Sequence, residues 1–266
     1  IQAARDAKNI RASNMHKCCV YYTGQVHHCV HKAFHTTGLY EAQLRSIPMN
    51  EKYQMDTSAL EVQMESDVSD GLIPTLVIAT AGTTDTGAID PLNKIAEICE
   101  KYQTWFHVDA AYGGFFMLLP EMHKRFKGIE RSDSVVMDPH KTLFLPYGSG
   151  VALVRNRKAL FESNARKAAY MKDTYGMEDV SPADTGPELS KHFRGLRMWL
   201  PLQLHGIEPF RANLREKLWL CIYFRKKIGA LGFQSGPEPD LSVTIFRFPN
   251  DPENVLTQRL MDALPG

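Results

Sequence analysis

Two residues invite chemistry before any others. Lys141 closes Asp138-Pro139-His140-Lys141, and Asp109 ends Thr104-Trp105-Phe106-His107-Val108-Asp109. Each follows a short stretch of β-branched and aromatic residues, the pattern of a buried strand. An acid and a lysine at the ends of neighbouring strands admit two readings. One is a salt bridge at a sheet edge. The other is a carbonyl cofactor held by Lys141 as a Schiff base, with Asp109 paired to a cationic ring nitrogen. Keeping that nitrogen protonated against a shift of two pKa units costs about 2.7 kcal/mol. One carboxylate in contact supplies about 4 kcal/mol at an effective dielectric of 20, so a single buried aspartate is enough.

Such residues need elements to hold them. Residues 75–80 (Thr-Leu-Val-Ile-Ala-Thr) are a near-continuous apolar strand of the kind buried on both faces of a parallel sheet. They run into Ala81-Gly82-Thr83-Thr84, a loop of small and hydroxyl residues. Asp90-Pro91 predicts a helix start, with the carboxylate as cap and proline at the first turn. Leu92, Ile95, Ala96, Ile98 and Cys99 then form a helical stripe. Further strands are expected over 20–23, 44–48, 134–138 and 150–154. A helical stretch follows Gly24, and a helix capped by Asp56 or Thr57 reaches Ser66. Alternating strands and helices predict an α/β domain with a mostly parallel sheet, whose ligands lie beyond the carboxyl ends of the strands. Three consecutive strand ends then deliver Thr83 and Thr84, Asp109, and His140 with Lys141.

Beyond these, residues 163–188 are polar and long for a connection, which predicts a lid or a disordered loop. Helices are expected over 189–204, broken at Pro201, and over 210–228, with a strand over 241–248. The division predicted is a large domain over 1–200, incomplete at its N-terminus, and the start of a small C-terminal domain over 201–266. Residues 1–10 have helical composition with nothing to cap them, so the chain is expected to begin mid-domain.

Composition excludes several classes. Lys plus Arg (31) and Asp plus Glu (30) nearly cancel, which gives no field for nucleic acid. No apolar run reaches the length of a membrane span. The five cysteines are odd in number and scattered, without a Cys-x-x-Cys pair, the usage of free thiols in a cytoplasmic protein.

His107-Val108-Asp109-Ala110-Ala111-Tyr112-Gly113-Gly114, Asp138-Pro139-His140-Lys141 and Ala79-Thr80-Ala81-Gly82-Thr83-Thr84 together resemble the signatures of the group II pyridoxal-phosphate decarboxylases. The resemblance runs from the start of the chain to the helix around Trp199. It implies the aspartate-aminotransferase-like (type I) fold, pyridoxal 5'-phosphate (PLP) as cofactor, and a homodimer with a composite active site. It implies decarboxylation of an L-amino acid, of the aromatic class, to the amine and carbon dioxide. By that resemblance Lys141 forms the internal aldimine and Asp109 pairs with the pyridine nitrogen. Ala111 lies on one face of the ring, His27 stacks on the other, and Thr84 sits close by. His140 and Asp138 lie near the phosphate, although many relatives carry asparagine in place of Asp138. Tyr170 matches the loop tyrosine that protonates the substrate carbon, where phenylalanine marks aldehyde synthases. Ser190 matches a pocket position reached across the dimer, and equally suits a helix cap. Arg194 and Arg197 are expected to brace the domain junction.

His27, His31 and His35 recur at i, i+4 and i+8, so a helix would place them on one face. No acidic or cysteine ligand accompanies them, so no metal site is assigned there. Two alternatives to the decarboxylase stay open: an aldehyde synthase or aminotransferase on the same fold, and a non-catalytic fragment or pseudoenzyme.

Overall fold

The computed structural model describes residues 1–165 and 180–263. The chain begins with a short helix α1 (Gln2–Ala7) and strand β1 (Cys18–Thr23), followed by α2 (His28–Thr37) and β2 (Gln43–Ile47). Next come α3 (Thr57–Ser69), β3 (Ile73–Thr80), α4 (Leu92–Lys101), β4 (Trp105–Asp109) and β5 (Ser134–Met137). After β5 the chain makes α5 (Pro139–Thr142), β6 (Val151–Val154) and α6 (Arg157–Asn164). The remainder holds α7 (Leu196–His205), α8 (Glu208–Ala230), β7 (Gln234–Ser235), β8 (Phe246–Arg247) and α9 (Val255–Ala263).

The six-stranded sheet has the order β2-β1-β3-β4-β5-β6. Its first five strands are parallel, and β6 runs antiparallel to β5. Side chains of a strand alternate between faces, so both faces of β1 and β3 must be covered. On one side Cys19, Tyr21, Val77 and Ala79 pack with Leu60 and Met64 of α3, Ile95 of α4 and Leu214 of α8. On the other, Cys18, Val20, Leu76 and Ile78 pack with Ala4 of α1, Phe34 of α2 and Ala159 of α6. The α/β class expected from the sequence is the architecture found. Among the described residues no helix is long and apolar enough to cross a membrane.

Local chemistry explains several of the boundaries. Asp56 caps α3 by accepting from Ser58 N and Ala59 N at 2.9 and 3.1 Å. Gly38, at φ 73°, closes α2 in the left-handed region open to glycine. The stripe expected on α4 is the buried stripe observed.

Three expectations are corrected. Asp90 does not cap α4. Its carboxylate is buried and accepts from Met55 N and Thr80 N, both at 2.7 Å. Those two N–H groups are enclosed, whereas a helix end has other ways to be satisfied, so they win the carboxylate. Second, α7 starts at Leu196, well after residue 189, and continues through Pro201. Third, strand pairing over 241–248 is limited to Phe246–Arg247, because the residues before it pack against the first sheet's loops. The 163–188 connection falls partly outside the described residues. Its described residues include a short turn, Pro182–Thr185, closed by a reciprocal Ser181–Asp184 capping box.

Burial pushes the Asp90 carboxyl up to about 6, with the Met55 and Thr80 N–H groups pulling the other way. The folded value lies above the ordinary 3.8, so the folded chain binds the proton more readily. That contribution is complete below the ordinary value and is lost as pH rises through about 6, roughly 3 kcal/mol over the window. Asp90→Asn should flatten this part of the stability profile. Urea midpoints taken between about pH 4 and pH 7 check it.

Candidate active site

The strand order reverses between β1 and β3: the chain moves from β1 to one side for β2 and to the other for β3. Open α/β sheets bind ligands at such a switch, outside the carboxyl ends. His27 follows β1, Thr84 follows β3, Asp109 ends β4, and Asp138, His140 and Lys141 follow β5. The ladder fixes these ends in register, since Thr80 pairs with Asp109 and Asp109 with Val136. Three further bonds carry the register past the strands. Ala81 N donates to Asp109 O (2.8 Å), Ala110 N to Val136 O (3.0 Å) and Asp138 N to Ala111 O (3.1 Å).

Asp109 is 6% exposed, and its Oδ1 accepts from Ala111 N at 3.1 Å. Burial pushes its carboxyl up, and the Ala111 N–H and the Lys141 charge pull it back in part. No cation among the described residues is within ion-pair distance of it. Lys141 is otherwise placed: its Nζ lies 3.1 Å from Asp138 Oδ2, with 38% of the side chain exposed. The Lys–Asp pair of this site is therefore Lys141 with Asp138, not with Asp109.

His140 Nδ1 donates to Ser149 O at 2.7 Å, which turns its Nε2 to within 3.8 Å of Asp138 Oδ2. Ser149 is itself held, donating to Pro146 O at 3.0 Å. Asp138 thus stands between two basic groups.

His27 is the N-cap of α2. Its Nδ1 accepts from Cys29 N at 3.3 Å, which leaves the ring proton to Nε2. Its ring lies 4.1 Å from that of His28. Burial first, then His28 and Lys141, push His27 down, while Asp109 and Asp138 oppose them. The same charges reach the Cys29 thiol, which burial and then Asp109 push up. His27, Asp109, Asp138 and Lys141 therefore share one electrostatic neighbourhood. His31 sits edge-on to Tyr22 and Phe34, and His35 stacks on Tyr40 at 5.1 Å, so each has an aromatic neighbour.

Thr84 is exposed, and Ala111 is half-buried. It is Thr83 that builds the loop after β3, with its hydroxyl against Thr86 (2.7 Å) and Ala88 N (3.1 Å). Tyr170 lies outside the described residues. Ser190 caps no helix, Arg194 pairs with Glu188 at 2.9 Å, and Arg197 donates to Tyr147 O at 2.6 Å. Sequence reasoning missed Ser149, which orients His140, and nothing local signals it.

The loops after β3 and β4 meet at Gly113, whose N donates to Ala81 O at 3.1 Å. A Cβ on Gly113 would overlap Ala81 O and stand 2.8 Å from Leu241 Cδ1. Backbone cannot yield there as a side chain can. Gly113→Ala is expected to destabilise the protein by about 3 kcal/mol, read as a fall in the urea midpoint.

The pyridoxal-dependent decarboxylase conserved domain matches residues 2–247. The aromatic-L-amino-acid decarboxylase of Bacillus atrophaeus is 32% identical over 251 residues, covering 93% of this chain and 52% of that protein. Among solved structures, Oryza sativa TDC with PLP and tryptamine superposes with a TM-score of 0.86 at 30% identity, over 93% of this chain and 53% of that one. Rhodiola rosea 4-hydroxyphenylacetaldehyde synthase does so with a TM-score of 0.88 at 26% identity, over 98% and 56%. The chain spans about half the length of the relatives it matches. Its mostly parallel sheet is that of the type I PLP fold. With sequence, sheet and strand-end residues in agreement, the chain belongs to the pyridoxal-dependent decarboxylase family.

Proposed function

We propose that the protein decarboxylates an aromatic L-amino acid to the amine and carbon dioxide with PLP as cofactor. The observation that carries this reading is Asp109. A carboxylate this buried, whose one hydrogen bond among the described residues comes from Ala111 N, suits a cationic ring nitrogen. The donor set around it fits the rest of the cofactor: an accessible primary amine on Lys141, a neutral imidazole on His27 for the ring face, and a small residue at Ala111. Once bound, PLP supplies the electron sink for the bond that breaks.

The chain's own residues do the remainder. Asp109 holds the proton at the ring nitrogen. Lys141 anchors the aldehyde carbon through Nζ, which requires its pairing with Asp138 to open. His27 and Ala111 flank the ring, Thr84 lies beside it, and His140 and Asp138 serve the phosphate end. With Lys141 committed to the cofactor, Asp138 keeps His140 as its neighbour, Oδ2 lying 3.8 Å from Nε2. Tyr170 returns the proton to the substrate carbon. The working unit is a homodimer in the cytoplasm, with residues 1–200 in the cofactor domain and 201–266 in a second, smaller one.

The test uses the full-length protein with aromatic, imidazole and acidic L-amino acids, scoring carbon dioxide and amine. Turnover confined to acidic substrates, or none at all, sinks the reading. Borohydride reduction followed by peptide mapping should label Lys141. Label on a different lysine removes its role. A second reading, aldehyde synthesis, is favoured by the likeness to the Rhodiola rosea enzyme. Peroxide and aldehyde in place of amine would establish it.

A further inference from the structure

The segment 240–243 comes after α8, far along the chain from the site, yet it lies across both loops that leave β3 and β4. Asp240 Oδ2 accepts from Ile89 N at 3.0 Å and from Gln54 Nε2 at 3.1 Å, and its Oδ1 accepts from Arg125 Nη1 at 2.5 Å. Leu241 is 2% exposed. Its Cδ1 would stand 2.8 Å from a Cβ on either Gly82 or Gly113. Ser242 Oγ lies 2.6 Å from Tyr112 OH, and Val243 Cβ would meet a Cβ on Gly87 at 2.9 Å.

Each of the glycines it touches is in a loop that the site depends on. Gly82, at φ 105°, stands two residues before Thr84, and Gly113 two residues after Ala111. The direct tie between the loops is Gly113 N to Ala81 O. Leu241 packs against both glycines beside that backbone contact and so holds the two loops together there. A close-packed interior transmits displacement, so a void at Leu241 lets both loops shift.

We propose that Leu241, supported by Asp240 and Ser242, is a positioning residue: it fixes the spacing of the loops bearing Thr84 and Ala111 and thereby sets the affinity for PLP. This rests on the PLP reading of the site. A small misplacement of groups that hold a ligand costs tenfold or more in function, which gives the expected size.

The experiment measures PLP binding to the full-length protein by cofactor absorbance, and amide exchange of the cofactor-free protein in parallel. Leu241→Ala is expected to raise the PLP dissociation constant about tenfold and to speed exchange at Gly82, Thr83, Ile89 and Gly113. Leu241→Met, which nearly conserves volume, restores most of both. Arg215→Ala breaks a different link from α8, to Glu121, and should change neither. If Leu241→Ala does not fold, Ser242→Ala carries the test with a rise of about threefold from its single lost bond to Tyr112. Faster exchange with unaltered PLP affinity overturns the proposal and leaves the segment as scaffold. Unaltered exchange overturns it as well. Wild-type protein that binds no PLP defeats the cofactor reading instead, while the exchange result still reports whether Leu241 holds the loops.

Discussion

Asp109→Asn is expected to lower turnover about a thousandfold while the chain stays folded. The amide matches the carboxylate in shape, and its oxygen can still accept from Ala111 N. What is lost is charge. A contact pair at an effective dielectric of 20 is about 4 kcal/mol, and that corresponds to about three decades in rate. The pH profile adds a second handle. Burial pushes the Asp109 carboxyl up. A cofactor cation binds the charged form, so affinity holds above that value and fails as pH falls through it. Because burial raises it, the failure sets in at a higher pH than it would for an ordinary aspartate. The asparagine variant has no such acid limb. Steady-state rates and PLP titrations across pH check both effects, and a variant within tenfold of wild type would remove the ring-nitrogen role.

The strands that hold Asp109 and Lys141 were legible because burial on both faces forces continuous apolar runs, and strand ends then announce themselves by the first polar residue. Thr80 after Ala79 and Asp138 after Met137 are such residues, and Asp109 closes β4 after Val108. Asp90 was misread for a related reason. An aspartate before proline is a good cap in isolation, and only the fold reveals two enclosed N–H groups, on Met55 and Thr80, that compete for it. The choice of partner for Lys141 had the same character: the aspartate three residues earlier outbids the one on the next strand. Least legible was residues 240–243. Their leucine and valine alternate as a strand should, and the pairing they forgo is decided by glycines more than a hundred residues earlier. Local pattern holds periodicity and caps, but it holds no record of which distant backbone comes close.

The second large effect belongs to Lys141, and two substitutions separate its rival explanations. Lys141→Arg keeps a cation able to pair with Asp138, whereas Lys141→Ala removes charge and amine together. If the lysine served only as a salt-bridge partner, arginine would preserve function. The pair is partly exposed, with 38% of the lysine side chain in solvent, and exposed pairs contribute about 0–1 kcal/mol. A guanidinium cannot give up its proton in a protein, so it cannot become the nucleophile that holds a carbonyl carbon. Both variants are therefore expected to lose about 10⁴-fold in turnover, the upper range for one positioned group. A small primary amine added to Lys141→Ala should restore part of the rate, because the missing atoms leave solvent-accessible space where Nζ stood. The same amine should do nothing for Lys141→Arg, whose side chain fills that space. Arginine activity within tenfold of wild type would return Lys141 to the role of a simple ion-pair partner.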